Sequence, residues 1–231
     1  MIGIIGAMDV EIKLLLENLE NEEVITINDY DFHKGILNNK EVVIVKCGVG
    51  KVNAGIVATI LALSFKPEVV ISTGIAGGID PLTTKDVLLG NEFIYGDFDI
   101  RFFGYEYGQV PNEPQYFKAN LEYLNKVEGI LKQLKVDYHK GLCITSDKFI
   151  TSMDNVLVPV EGKYAVTEME STSIVHALKH AGIPVIVLRF VSDIIGHPSQ
   201  IENYFEFETE MANLSASICL KCLGELWNIM R

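Results

Sequence analysis

At 231 residues, 48% of them hydrophobic, the chain can bury one sizeable core, and a single domain over residues 1–231 is expected. A formal net charge of −12 argues against nucleic-acid phosphates and anionic membranes as partners. Four scattered cysteines, a start without a leader pattern and no apolar run of bilayer length point to a reduced, soluble, cytoplasmic protein.

Ile2 to Ile5 reads as a short buried strand running into Gly6-Ala7-Met8, and Val10 to Leu19 has helical periodicity. Glu11 falls in that helix's first turn, where acids are favoured whatever their role. If it faces a crevice instead, its carboxylate can activate a water. Phe32 to Leu37 and Glu41 to Cys47 read as paired strands turning at Asn38-Asn39. Gly48-Val49-Gly50-Lys51-Val52-Asn53 then opens a helix. Val45 stands where a Walker loop needs its first glycine, and Lys51 is not followed by Ser or Thr. Asn53 occupies the third glycine position of the dinucleotide fingerprint. What remains is a tight turn that lets backbone approach a ligand.

Glu68 to Ser72 forms the next buried strand, ending in Thr73-Gly74-Ile75-Ala76-Gly77-Gly78. Two glycine-rich strand ends in one domain suggest backbone lining a pocket. Val87 to Tyr95 is a further strand. Residues 102–111 gather aromatic, Gly and Pro residues without helical period, an ordered loop suited to an apolar lid or a subunit contact. Leu121 to Leu134 is an amphipathic helix and Gly141 to Ile144 a strand. Phe149, just beyond, can stack on a heterocycle whose edge the neighbouring backbone reads; a core Phe is the plainer alternative.

Glu168-Met169-Glu170 sits where a strand gives way to the helix Ser171 to Ala181. An i, i+2 pair shares no helix face, but at such a junction both carboxylates can point toward one crevice. Open α/β sheets bind ligands at these strand ends, and a carboxylate there can accept from two adjacent sugar hydroxyls. Solvated first-turn acids are the alternative. Pro184 to Phe190 is the most continuously apolar β-rich run and reads as a central strand. It carries Arg189 and ends in Val191-Ser192-Asp193. An acid at the end of a buried strand is desolvated, so its pKa should rise, which suits a proton donor near neutrality. Glu206 to Met230 closes the chain as a long helix. His176 and His180 have the spacing of helical metal ligands, but no Glu lies between them and no third ligand is evident, so no metal is expected. Cys219 and Cys222 read as core residues.

Seven segments then recur in a familiar order: Ile-Ile-Gly-Ala-Met (4–8) with Glu11, Gly-Val-Gly-Lys-Val (48–52), Thr-Gly-Ile-Ala-Gly-Gly (73–78), Phe-Gly-Tyr-Glu-Tyr-Gly-Gln-Val-Pro (103–111), Ser-Asp-Lys-Phe-Ile (146–150), Glu-Met-Glu (168–170) and Arg-Phe-Val-Ser-Asp (189–193). In these, nearly end to end, the chain resembles the 5′-methylthioadenosine/S-adenosylhomocysteine nucleosidases of the purine nucleoside phosphorylase superfamily. The resemblance implies an α/β single domain whose central mixed β-sheet, partly barrel-like, is flanked by helices. It implies a homodimer, an adenosine thioether as substrate and no cofactor.

It also implies roles. Glu11 is the expected base toward water, with Arg189 helping to hold that water, and Asp193 the acid toward adenine N7. Glu170 would bind the ribose hydroxyls and Met169 pack against the sugar. Phe149 would stack on adenine while the Ile150 backbone reads its edge. Met8 and Tyr204 would face the 5′-alkylthio group, with Phe103, Tyr105 and Pro111 closing that pocket from the neighbouring subunit. Val49, Ile75, Ala76, Gly77, Glu168 and Ser192 lie in the same motifs and are expected to line the substrate site. Two alternatives stay open: a phosphate-dependent phosphorylase, and a nucleoside-binding protein without turnover. Phosphorylases of the superfamily place arginines near the first glycine turn and before the Thr-Gly, where this chain has Asp9-Val10-Glu11 and Ser72-Thr73. A phosphate dianion would be repelled by Glu11. Ile75, Gly96 and the segment Ile194 to Asn203 depart from the family pattern.

Overall fold

The computed structural model describes residues 1–229. In chain order the elements are β1 (Ile2–Gly6), α1 (Asp9–Glu17), β2 (Glu20–Ile27), β3 (Tyr30–Leu37), β4 (Lys40–Lys46), α2 (Lys51–Phe65), β5 (Val69–Ile79), β6 (Val87–Tyr95), β7 (Phe117–Lys118), α3 (Leu121–Gln133), β8 (His139–Thr145), β9 (Tyr164–Glu168), α4 (Ser171–His180), β10 (Val185–Ile194) and α5 (Gln200–Ile229). Met230, the expected end of the last helix, lies outside the described residues.

All the strands join one mixed sheet. β5 pairs β10 in parallel and β9 in antiparallel fashion, and β6 and β8 complete the circuit, so β5-β9-β8-β6-β10 closes into a barrel-like ring. From β5 the sheet continues outward through β1, β4, β3 and β2. The central strands are apolar nearly throughout, as a sheet covered on both faces requires, and successive residues point to opposite faces. Ile2, Ile4, Val42, Ile44, Val69 and Ile71 pack with α1, α3 and α5. Ile5, Val43, Val45 and Val70 face the other way, onto α2 and α4. Cys219 and Cys222 are buried in the first of these layers, as expected.

Three expectations are revised. The glycine-rich stretch 73–78 is the second half of β5 rather than its end, because its backbone hydrogen-bonds β10 and β9 on its two edges. β10 likewise runs past Asp193 to Ile194. The last helix begins at Gln200, six residues ahead of Glu206, since the apolar periodicity of its first turns is diluted by acids. β2, Glu-Asn-Glu-Glu-Val-Ile-Thr-Ile, is an exposed strand whose polar first half hides it from periodicity.

Candidate active site

The parallel strand β1 delivers the chain to Gly6, and α1 starts three residues later. Glu11, in the first turn of α1, folds back so that Oε2 accepts from the backbone amides of Ala7 (2.6 Å) and Met8 (3.0 Å), while Oε1 accepts from Ile75 N (3.0 Å) on β5. It is 3% exposed. Close approach to β5 depends on Gly74: a Cβ there would lie 2.3 Å from Glu11 Oε1. Burial raises the Glu11 pKa, opposed by the Ile75 amide and the Arg189 charge.

The turn before α2 serves a carboxylate rather than a phosphate. Gly48 and Gly50 take positive φ (83° and 102°), and the Gly50 amide donates to Glu170 Oε1 at 2.8 Å. Glu170, the N-cap residue of α4, is buried. Burial and then the neighbouring Glu168 charge raise its pKa.

Glu168 and Glu170 therefore differ. Glu168 Oε2 accepts from the amides of Glu170 (3.1 Å) and Ser171 (2.7 Å), from Ser171 Oγ (2.8 Å) and from Arg189 Nη2 (3.0 Å), and its Oε1 is held by Thr145 Oγ1. Those donors saturate the lone pairs of one carboxylate. Expected among the substrate contacts, Glu168 borders the cavity, but its charge anchors the start of α4 and Arg189. Arg189 also donates to Ser72 Oγ and Leu188 O, both at 3.0 Å, and its Nε is buried with no acceptor among the described residues.

Asp193 is 1% exposed and reaches the site through a β-bulge. Val191 pairs with Ala76 and Asp193 with Gly77, leaving Ser192 as the extra residue. Ser192 Oγ donates to Asp193 Oδ1 at 2.6 Å, and Gln200 Nε2 donates to Oδ2 at 2.8 Å. Burial raises the Asp193 pKa; those two donors oppose it.

Two adjoining cavities lie among these groups. One, about 110 Å³, is lined by Ala7, Met8, Val49, Ile75, Ala76, Gly77, Phe149, Thr167, Glu168, Met169, Glu170, Ser192, Asp193 and Tyr204. The other, about 10 Å³, lies between Glu11, Ser72, Thr73, Glu170 and Arg189, near the smallest space that admits one water. Phe149 is 48% exposed and meets the Tyr204 ring edge-on, with centroids 5.4 Å apart. Ile150 is buried outside the larger cavity, its carbonyl bonded to Gln200. Phe103, Tyr105 and Pro111 do not line the cavity of their own chain; Phe103 is 73% exposed on its loop.

Sequence reasoning passed over several participants. Gln200 has the only signal that could have flagged it, a carboxamide opening a helix seven residues after Asp193. Lys51 bridges Asp97 (2.5 Å) and Asp147 (3.5 Å), tying α2 to the loop that carries Phe149. Glu113 comes within 3.7 Å of His176 Nε2 and 3.1 Å of His180 Nε2, supplying the third ligand-type side chain not evident in the sequence. Lys179 pairs with its other oxygen, so the cluster is already charge-balanced.

Comparison with known proteins bears on this arrangement. The phosphorylase superfamily matches residues 1–224. A 5′-methylthioadenosine/S-adenosylhomocysteine nucleosidase of Staphylococcus aureus is 38% identical over 227 residues, 96% of this chain and 98% of its own. The crystal structure of such a nucleosidase from Colwellia psychrerythraea, in complex with adenine, superposes with a TM-score of 0.91 at 34% identity, covering 97% of this chain and 95% of that one. A futalosine hydrolase of Helicobacter pylori superposes with a TM-score of 0.90 at 25% identity, covering 97% of both chains.

Proposed function

The chain belongs to the phosphorylase superfamily and, within it, to the 5′-methylthioadenosine/S-adenosylhomocysteine nucleosidases, which are N-glycosyl hydrolases, and from that premise we propose that it hydrolyses the N-glycosidic bond of both thioethers and of 5′-deoxyadenosine. Adenine leaves poorly as an anion. Asp193, whose pKa burial raises, protonates N7 as the bond stretches, and the sugar becomes oxocarbenium-like. Glu170 holds the ribose 2′- and 3′-hydroxyls, Met169 packs on the sugar and Phe149 stacks on the purine. A water held by Arg189 and deprotonated by Glu11 captures C1′, giving adenine and the 5-thioribose, or 5-deoxyribose from 5′-deoxyadenosine.

The observation that carries this reading is the convergence of Glu11, Glu170 and Asp193, 182 positions apart from first to last, on two cavities that share Ala7, Ile75 and Glu170 in their linings. The orphaned Arg189 Nε beside the smaller cavity supports a water there. Phosphate is disfavoured. Among the described residues Arg189 is the only arginine that lines either cavity, and it is already paired with Glu168.

A homodimer belongs to the same proposal. Val52 and Phe103 are 70% and 73% exposed, and a wide concavity of about 520 Å³ runs past Val52, Tyr95, Phe98 and Val110. A second copy covering this face would bury them and bring Phe103, Tyr105 and Pro111 to the 5′-group.

The test is adenine release from methylthioadenosine, S-adenosylhomocysteine and 5′-deoxyadenosine, with and without phosphate. Release independent of phosphate is expected, and Asp193→Asn should lower it on the order of 10²–10⁴-fold. Obligatory phosphate would install the phosphorylase reading; tight binding without release would leave a binding protein.

A further inference from the structure

Gln200 is the first residue of α5, 3% exposed, and every hydrogen-bonding atom of its carboxamide is used. Oε1 accepts from the Gly196 amide at 3.0 Å. Nε2 donates to Ile150 O at 2.9 Å and to Asp193 Oδ2 at 2.8 Å. Those two acceptors are the groups that the proposed reaction assigns to the purine: the backbone that reads its edge and the acid beside N7. An adenine 6-amino group and a primary carboxamide present the same thing, a planar nitrogen with two N–H bonds.

We propose that Gln200 is a built-in stand-in for the adenine amine, seated on the base-recognition atoms of the free protein and displaced when the purine enters. The inference rests on the nucleosidase reading and goes beyond it by naming a competitor within the chain. The larger cavity supports it independently. Its volume of about 110 Å³ is small beside the roughly 300 Å³ or more of pockets that enclose ligands of comparable size. Ile150 is absent from its lining because Gln200 covers the carbonyl. The means of withdrawal are local: the exposed turn Gly196-His197-Pro198 precedes α5, and Gly196 has φ +76°.

Displacement links two events. While Gln200 is seated, its N–H stabilises the ionised form of Asp193; once it leaves, the acid favours its proton as the purine arrives to receive it. After bond cleavage the carboxamide competes with product adenine for the same atoms, which favours release.

The experiment measures adenine affinity by calorimetry for the wild type and Gln200→Ala, alongside a crystal structure of the wild type with adenine. Removing an internal competitor that holds two hydrogen bonds should tighten adenine binding on the order of tenfold. In the complex, Gln200 Nε2 should have parted from both Ile150 O and Asp193 Oδ2. Equal or weaker binding by a folded Gln200→Ala protein overturns the proposal, as does a complex in which both bonds persist. If the variant does not fold, the wild-type complex decides. Wild-type turnover of methylthioadenosine is followed in parallel. An active wild type with Gln200 unmoved counts against this inference alone, whereas a wild type that neither hydrolyses the nucleoside nor binds adenine overturns both readings.

Discussion

Three acids of one chemical type are tuned apart here by what each accepts. Glu11 takes three backbone amides, Glu170 one amide, and Asp193 one hydroxyl and one carboxamide. All three are pushed toward the neutral form by burial. A raised folded-state pKa has a definite sign in stability: its contribution is complete below the unfolded value and is lost as pH rises through the folded one. The free protein therefore loses stability at its site as pH rises, for Glu170 between the unfolded carboxylate value and the value of about 8 to which burial pushes it. Glu170→Gln keeps an oxygen for the Gly50 amide and removes the buried charge. Its melting temperature should exceed wild type at pH 8, with the gap closing toward pH 5, on the order of 2–4 °C for each kcal/mol relieved. A gap of equal size at both pH values would show that the Glu170 pKa does not rise on folding. At this scale the sequence was partly legible. Asp193 stood out as an acid at the end of a buried strand, whereas Glu11, in a helical turn that favours any acid, was singled out by the family resemblance. Glu168 and Glu170 could not be told apart, because what separates them is the distant Thr145 and Arg189, which only the fold brings to Glu168.

At the scale of elements, β5 and β10 do most of the positioning. The glycines of β5 read in the sequence as a strand end lining a pocket, yet they continue the strand, since a strand flanked on both edges tolerates glycine where another side chain must pass close by. Gly74 gives Glu11 its place, and Gly77 lies beside Asp193, where a Cβ would come 3.2 Å from Oδ2. Gly74→Ala should destabilise the protein by about 1–3 kcal/mol through overpacking and depress turnover together with it. Thermal unfolding and adenine release measured on the same preparation check this, and a variant of wild-type stability and rate would mean that Glu11 is not held against β5. The bulge at Ser192 was not foreseeable, because one surplus residue in an apolar run leaves no pattern. β2 escaped for the opposite reason, being too polar to announce itself.

For the molecule as a whole, the α/β class followed from alternating apolar strands and helical stretches, and the single mixed sheet with its barrel-like closure came from family resemblance rather than periodicity. The apolar face around Val52 is where the isolated chain is least complete. Val52 is 70% exposed, so Val52→Glu should leave the fold intact while disfavouring pairing of two copies. Sedimentation should show a shift toward monomer, and the KM for methylthioadenosine should rise if the partner's loop completes the 5′-pocket. A wild type that sediments as a monomer would remove the homodimer from the proposal.

The closed circuit β5-β9-β8-β6-β10 has a mechanical consequence. Ile75 N, Glu168, Arg189 and Asp193 all belong to strands of that hoop, so no one of them can shift without straining its neighbours. The hoop behaves as a stator. In the proposed cycle, opening for entry and exit falls to segments on its rim: the Phe149 loop, held to α2 by the Lys51–Asp147 ion pair, and the turn before Gln200. Hydrogen exchange should divide the molecule along that line, slow around the hoop and fast at the two rim segments.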